Sequence, residues 1–160
     1  MQRSQIINYT EYRSVAELDE EMQLLFKRVA KARESAYAPY SKFKVGAAIR
    51  LEGGQIICGN NQENAVYPVG LCAERVAIFQ AGASYPGVRI RALVILAGSE
   101  LAPTHRPVPP CGSCRQAIAE YERRQGYPIR IACKGVGGGP ILEVGTVRDL
   151  LPFGFSKDFL

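Results

Sequence analysis

Cys72-Ala73-Glu74 and Pro110-Cys111-Gly112-Ser113-Cys114 are the two stretches that decide how this chain can fold and act, because together they supply three thiols and one carboxylate. Three cysteine ligands leave the fourth position of a tetrahedral Zn²⁺ open, which is typical of catalytic zinc sites. Glu74 follows Cys72 so closely that it can reach that open position without being a ligand, and a carboxylate there can move protons. The two stretches therefore predict a catalytic zinc centre.

Both stretches are predicted to open helices, over residues 72–81 and 112–124. The first amides of a helix are unpaired and carry partial positive charge, which favours the thiolate form that binds metal. Three thiolates and Zn²⁺ together leave one negative charge, which would oppose the ionisation of a bound water. We expect a guanidinium, from Arg75 or Arg115, to hydrogen-bond the thiolates and offset that charge.

Other interpretations of these cysteines remain open at this point. A lone Cys-x-x-Cys is also typical of half a zinc ribbon, and Cys72 taken alone fits a buried apolar cysteine. His105, the only histidine, could complete a closed Cys₃His site in a zinc-stabilised binding module. A closed site needs no carboxylate, so Glu74 distinguishes a catalytic centre from such a module. Cys58 and Cys133 fall in predicted strands and are expected to be buried, inert thiols.

The rest of the chain alternates helical and strand patterns. Residues 1–13 are expected to be an irregular lead-in, and Ser14-Val15-Ala16-Glu17 fits a capping box with Ser14 as N-cap. Apolar residues then recur at helical spacing, so a first helix is expected to end before Pro39. Strands are predicted at 43–51, 55–59, 93–96, 129–133 and 141–144, loops at 60–70 and 98–110, and a last short helix at 146–151 with Thr146 as its cap. This order predicts an α/β sandwich around one mixed sheet.

Composition narrows the class of protein. The chain has 160 residues, of which 47% are hydrophobic and 22% charged, as expected for one globular domain over residues 1–160. Neither a membrane span nor a signal peptide is predicted, and five cysteines in such a chain favour metal chemistry in the cytoplasm over a disulfide framework. The net charge of +5 comes from dispersed Lys and Arg residues, so neither nucleic acid nor a membrane is expected as a partner.

Four segments, at 38–48, 61–75, 110–116 and 150–155, resemble the zinc-dependent cytidine deaminases of the small homotetrameric type. They occur in the family's order, and the likeness extends over roughly residues 15–160. Cys72 stands where the general deaminase pattern H-x-E…P-C-x-x-C has its histidine. The resemblance implies the cytidine deaminase-like fold, a three-layer α-β-α sandwich around one mixed β-sheet, and a homotetramer with shared active sites.

The resemblance also implies the reaction. Cys72, Cys111 and Cys114 would hold one Zn²⁺ per subunit, and hydroxide formed there would attack C4 of cytosine. Glu74 would take the proton of the water, pass it to N3 and help to protonate the departing ammonia. Cytidine and 2′-deoxycytidine would thus become uridine and 2′-deoxyuridine, a reaction of pyrimidine salvage.

Five further positions match substrate-binding residues of the family. Asn61 and Glu63 would hydrogen-bond the sugar hydroxyls, O3′ in particular, and an anionic Glu63 would favour a nucleoside over a nucleotide. Phe43 would pack against the pyrimidine, the Ala73 amide would bind the C2 carbonyl, and Phe155 would reach into a neighbouring subunit's site. Phe43 and Phe155 also fit ordinary core positions. A deaminase acting on another cytosine nucleoside, or on a base in RNA, is an alternative that the sequence leaves open.

Overall fold

A six-stranded mixed sheet lies at the centre of the computed structural model, which describes residues 1–160. In chain order the elements are β1 (Thr10–Tyr12), α1 (Glu20–Glu34), β2 (Phe43–Leu51), β3 (Ile56–Asn60), α2 (Ala73–Ser84), β4 (Ile90–Ser99), α3 (Gly112–Gln125), β5 (Arg130–Gly135) and β6 (Ile141–Val144). The strands lie side by side in the order β1-β6-β5-β4-β2-β3. Only β4 and β5 are parallel, because α3 carries the chain back between them.

Helix α1 covers one face of the sheet. Its side chains Met22, Leu25 and Val29 recur at helical spacing, are fully buried, and pack on the strand residues that point to this face. Gly46 on β2 permits the close approach, since a Cβ there would lie only 2.6 Å from the Val29 carbonyl oxygen. The amphipathic pattern of the sequence therefore predicted this helix and its buried side correctly.

Helices α2 and α3 cover the opposite face. Ile78 of α2 and Ile118 of α3 belong to the larger apolar core, together with inward residues of the strands such as Leu93. Gly59 on β3 brings the start of α2 close to the sheet, because a Cβ would lie 2.6 Å from the Ala73 carbonyl oxygen. The three layers confirm the α-β-α sandwich around one mixed sheet.

The expectation of an irregular lead-in over residues 1–13 is wrong for its last part. Residues 10–12 form β1, which pairs antiparallel with β6 and places Glu11 opposite Leu142. A strand of three largely polar residues has no clear periodicity of its own. It forms because β6 would otherwise leave its backbone amides and carbonyls unpaired at the edge of the sheet.

The predicted capping box at Ser14 is also wrong. The first α-helix begins after Asp19, whose carboxylate accepts a hydrogen bond from the Met22 amide at 3.0 Å. Ser14 makes no side-chain cap bond, and Glu17 accepts instead from the Arg13 amide at 3.2 Å. Ser14 and Glu17 therefore close a separate short turn before the helix.

The loops and the end of the chain follow the expected pattern with shifted boundaries. Strand β4 extends to Ser99, so the long loop before α3 starts later than expected. The last predicted helix is a single 3-10 turn, Val147–Asp149, and Thr146 caps it by accepting from the Arg148 amide. None of the helices combines the length and the apolar character that a membrane span requires.

Candidate active site

The three cysteines of the predicted zinc centre meet where two helices begin. Cys72 is the N-cap of α2, Cys111 is the N-cap of α3, and Cys114 is buried in the first turn of α3. Their Sγ atoms all lie within 4.8 Å of one another, and those of Cys72 and Cys111 are 3.8 Å apart. Tetrahedral Zn²⁺ with Zn–S bonds of about 2.3 Å needs S–S separations of about 3.8 Å, so the donor set fits this ion.

The cluster contains three protein ligands and no fourth. His105 lies in the exposed loop after β4 and outside the cluster, so the alternative of a closed Cys₃His site is wrong. Cys72 and Cys111 both line a cavity, and a small molecule can therefore approach a metal held by them. This is the arrangement expected of a catalytic centre.

The thiols of the cluster shift one another's pKa values. The neighbouring Cys114 thiol and the Arg75 guanidinium lower the pKa of Cys72 to about 5, against the opposing effect of burial. The proximity of Cys72 and burial raise the pKa of Cys114. Cys72 therefore ionises more readily than Cys114, and a metal that binds both sulfurs must displace the proton of Cys114.

The two arginines that follow the motifs have different roles. Arg75 Nη2 donates to Cys72 Sγ at 3.9 Å, as expected for a guanidinium that offsets thiolate charge. Arg115 does not contact the thiols. It donates to the carbonyl oxygens of Pro110 and Leu150, each at 2.8 Å, so the expectation that it could offset their charge is wrong. Arg115 instead ties the segment after β6 to the start of α3.

Glu74 is the second residue of α2 and is only 4% exposed, yet its side chain lines the cavity beside the cysteines. Burial raises the pKa of the Glu74 carboxyl, and the negative charge of Cys72 raises it further. A carboxyl that holds a proton more readily than usual can both accept and return one during a reaction. Glu74 therefore lies where a carboxyl could exchange protons with a molecule at the open side of the cysteine cluster.

The cavity next to the cluster has a volume of about 590 Å³, which suits a small molecule of nucleoside size. Its apolar surface includes Val45, Ile95 and Val108, which lie on three separate parts of the chain. At its edge, Tyr40 and Tyr67 meet edge to face with ring centroids 6.1 Å apart. The remaining wall is polar and carries Asn61 and Glu63.

The amide of Asn61 is partly used by the backbone of β2. Its Oδ1 accepts from the Val45 amide at 2.8 Å, and its Nδ2 donates to the Phe43 carbonyl at 2.9 Å. The side chain thus continues the pairing of β2 beyond the end of β3. One N–H and one lone pair of the amide remain free, and Asn61 lines the cavity.

The carboxylate of Glu63 is held by the turn that precedes β2. Oε2 accepts from the amides of Tyr40 and Ser41 at 3.0 and 3.2 Å, and Oε1 accepts from the Ser41 hydroxyl. Burial acts to raise the pKa of Glu63, but these hydrogen bonds outweigh it and keep the pKa below its usual range. The carboxylate therefore stays anionic and keeps one free lone pair on Oε1.

The other three predicted substrate residues are placed differently. Ala73 is buried as the first residue of α2, where a helix amide has no acceptor within the helix. Phe43 is half-buried on β2, and its side chain is not among those that line the cavity. Phe155 is 58% exposed and stacks on Phe159 at 5.6 Å, away from the cavity of its own chain. Their roles toward substrate stay predictions.

Two residues that the structure brings to the cavity, Ser41 and Val108, were not among the predicted site residues. Ser41 lies within the segment that resembles the family, but nothing in its spacing indicates that it reaches Glu63 across 22 positions of the chain. Val108 lies in a loop without periodicity, so only the folded structure shows that it contacts the site. Of the two remaining cysteines, Cys133 is buried and burial raises its pKa to about 12, as expected of an inert thiol, whereas Cys58 is half-buried.

Comparison with known proteins agrees with this geometry. Residues 19–127 match the family model of the cytidine and deoxycytidylate deaminase zinc-binding region. The chain is 50% identical to the cytidine deaminase of Halalkalibacterium halodurans over 136 residues, which cover 85% of this chain and 95% of that protein. It is 44% identical to the cytidine deaminase of Sporosarcina psychrophila over 142 residues, or 88% and 95% of the two chains.

A solved structure gives the same result. The crystal structure of cytidine deaminase from Burkholderia pseudomallei aligns with a TM-score of 0.72 and 37% identity, covering 83% of this chain and 98% of that one. The matched family region, residues 19–127, includes Cys72, Glu74, Cys111 and Cys114. With an open three-thiolate cluster and a buried glutamate in place, the chain belongs to the cytidine and deoxycytidylate deaminase family.

Proposed function

We propose that this protein converts cytidine and 2′-deoxycytidine to uridine and 2′-deoxyuridine with release of ammonia. The observation that carries the proposal is the position of Glu74, a buried carboxyl with a raised pKa beside three thiols that fit Zn²⁺. Relatives named cytidine deaminase, at 50% and 44% identity over most of the chain, support the same reaction.

Glu74 is the proton carrier of the proposed mechanism, and Cys72, Cys111 and Cys114 are the ligands that would hold Zn²⁺. The bound ion supplies the Lewis acidity that makes water a nucleophile at neutral pH. Glu74 accepts a proton from the water that attacks C4 and gives it to ring N3. It then delivers a second proton from that water to the amino group, so that the C4–N bond breaks and ammonia leaves.

Asn61 and Glu63 are proposed to recognise the sugar. The free N–H of the Asn61 amide is a donor, and the free lone pair of Glu63 Oε1 is an acceptor. One sugar hydroxyl can accept from the Asn61 amide and donate to Glu63 Oε1 at the same time. The family resemblance implies that this is the 3′ hydroxyl. Because neither residue is proposed to bind a 2′ hydroxyl, we expect both ribose and 2′-deoxyribose nucleosides to bind.

Nucleosides are favoured over nucleotides and over bases in RNA. The anionic carboxylate of Glu63 lies on the sugar side of the cavity, where it would repel a substrate phosphate. A polynucleotide would bring several phosphates to the same wall. We therefore propose a free nucleoside as substrate, and neither nucleic acid nor a membrane as partner.

A homotetramer with shared active sites is part of the proposal. Large apolar side chains are exposed around the cavity and at the end of the chain, among them Val66, Tyr67, Val69, Phe153 and Phe155. Exposed apolar side chains that follow one another closely along the chain, as these do, are consistent with contact between copies. Phe155 lies away from the cavity of its own chain, which supports a role in the site of a neighbouring copy. Light scattering coupled to size-exclusion chromatography will distinguish four copies from one.

A cytoplasmic location also belongs to the proposal. All five cysteines are free thiols, and three of them are the proposed zinc ligands. Reducing conditions keep such thiols available for metal, whereas an oxidising compartment would pair them.

The reaction is tested by following ultraviolet absorbance of cytidine, 2′-deoxycytidine, cytidine 5′-monophosphate and a short cytidine-containing RNA with the zinc-loaded protein. We expect conversion of both nucleosides and little or none of the monophosphate and the RNA. Stoichiometric zinc without any absorbance change on the nucleosides would contradict the proposal and favour a zinc-stabilised binding module. Preferred conversion of the RNA would move the substrate class to polynucleotides.

A further inference from the structure

We propose that Ser41 is a positioning residue for substrate binding, because its hydroxyl fixes the Glu63 carboxylate in the orientation that receives the sugar hydroxyl. The inference rests on the proposed function, since it concerns the sugar wall of the same site. Three observations support it. The Ser41 hydroxyl donates to Glu63 Oε1, both lone pairs of Glu63 Oε2 are already used, and backbone hydrogen bonds hold the turn that carries Ser41.

The direction of the Ser41 hydrogen bond is fixed by its neighbour in the chain. Ser41 Oγ accepts a hydrogen bond from the Phe43 amide at 3.0 Å. Since the hydroxyl has a single proton, that proton is directed to Glu63 Oε1, the other partner of Ser41 Oγ. Ser41 is therefore the donor, and the carboxylate is the acceptor of a charge-assisted bond.

The second oxygen of Glu63 has no capacity left for substrate. Oε2 accepts from the Tyr40 and Ser41 amides, which fill its two lone pairs. Oε1 is therefore the only oxygen that can accept from a ligand, and the Ser41 hydroxyl leaves it one lone pair. Without that hydroxyl the carboxylate is held at one oxygen alone, and Oε1 loses its fixed direction.

The turn that carries Ser41 is itself held in place. Lys42 adopts a positive φ of 55°, an uncommon conformation for a residue with a side chain. Its amide donates to the Ala38 carbonyl at 3.1 Å, and its carbonyl accepts from the Glu100 amide at 2.8 Å. Loss of the Ser41 hydroxyl thus leaves the backbone turn closed, and the main consequence is expected at Glu63.

Steady-state kinetics on two substrates test the proposal. Ser41→Ala is compared with Ser41→Thr, which keeps a hydroxyl, and with Ser99→Ala as the matched control. Ser99 Oγ accepts from the amide two residues later at 3.0 Å, as Ser41 Oγ does, and its hydrogen bonds include none to a carboxylate. The substrates are cytidine and 3′-deoxycytidine.

We expect Ser41→Ala to lower kcat/KM for cytidine about tenfold, mainly through a higher KM, because one oriented hydrogen bond to substrate is weakened. Ser41→Thr and Ser99→Ala should stay near the wild-type value. With 3′-deoxycytidine, which lacks the hydroxyl in question, Ser41→Ala and the wild type should have nearly equal kcat/KM. An equal loss on both substrates would show a merely structural role and overturn the inference.

Two further outcomes separate the inference from the proposed function. If the wild type deaminates cytidine and Ser41→Ala has the same kcat/KM, the inference fails and the proposed function stands. If the wild type does not act on cytidine, both fail. The pKa of Glu63, followed by NMR of the labelled carboxyl, gives a second readout: it should rise in Ser41→Ala but not in Ser99→Ala, and no rise would also overturn the inference.

Discussion

Cys72 Sγ and Cys111 Sγ lie 3.8 Å apart although the two residues are separated by 39 positions in the chain. Each is the N-cap of its own helix, and the two helices pack on the same face of the sheet. The contact therefore joins two helix N-termini, whose positive ends favour thiolates. The zinc centre is a product of the whole α2–sheet–α3 packing and not of a local loop.

Cys114→Ser is expected to abolish stoichiometric zinc binding. Cys114 is buried within the cluster, and a serine hydroxyl is a much poorer zinc ligand than a thiolate. Zinc per chain, measured by atomic emission after dialysis against a chelator, should fall well below the wild-type value of about one. Cys58→Ser, a half-buried strand cysteine outside the cluster, is the control and should retain zinc. Equal zinc in both variants would contradict the assignment of Cys114.

Arg75→Gln is expected to weaken zinc retention and turnover together. The guanidinium donates to Cys72 Sγ, where we expect it to offset the excess negative charge of three sulfur ligands. Loss of such a partner typically lowers metal affinity or activity by about tenfold or more. Zinc affinity by competition with a chromogenic chelator, and kcat on cytidine, are the two measurements. Arg28→Gln, on the exposed side of α1, is the control and should leave both quantities unchanged. Wild-type zinc affinity and kcat in Arg75→Gln would rule out a role of Arg75 at the thiolates.

Glu122→Ala is expected to destabilise the fold without affecting zinc stoichiometry. The buried carboxylate of Glu122 accepts from the Ile129 and Val147 amides at 2.8 and 3.1 Å and from Thr146 Oγ1 at 2.5 Å. The variant leaves two buried amides unpaired, so the free energy of unfolding should fall by about 3 kcal/mol. Urea denaturation measures it, with Glu120→Ala on the exposed side of α3 as control. A loss no larger than that of the control would be inconsistent with this role.

Asp19 should make stability depend on pH in the acid range. Partial burial acts to raise its pKa, but the Met22 amide and the Arg130 guanidinium outweigh burial and hold the pKa below its usual value. Since the folded pKa is the lower one, the stabilisation is full above the unfolded pKa of about 3.9 and is lost as the pH falls through the folded pKa. Asp19→Asn keeps a capping side chain but does not titrate.

The measured quantity is the difference in free energy of unfolding between wild type and Asp19→Asn. We expect the wild type to be more stable at pH 7 and the difference to shrink as the pH is lowered below about 4. A difference that stays constant from pH 7 to pH 3 would show that the charge of Asp19 does not contribute.

The fold was predictable wherever local pattern and tertiary packing agree. The apolar spacing from Met22 to Val29 predicted α1 and its buried side, because the same residues pack on the sheet. The pattern failed at the N-terminus, where tertiary contacts decide. Strand β1 exists because β6 offers an unpaired edge, and Asp19 caps the helix because its carboxylate also meets Arg130 from a distant strand.

The candidate site shows the same division. The cluster of three cysteines and the position of Glu74 beside it were predictable, because metal chemistry restricts both residue type and spacing. The role of Arg115 was not predictable. Its place next to Cys114 in the sequence suggested a contact with the thiols, but its hydrogen bonds go to the carbonyl oxygens of Pro110 and Leu150. Ser41 was missed because a serine hydroxyl has many partners in proteins, and only the folded turn brings it to Glu63.

The central claim is that Glu74 moves protons at a metal held by the three cysteines. Glu74→Gln keeps the size and polarity of the side chain but removes its ability to accept a proton. The measurement is kcat/KM on cytidine, made on protein whose zinc content is determined in the same sample. We predict zinc at the wild-type level and a loss of activity of about a thousandfold. Full zinc together with activity near that of the wild type would contradict the account.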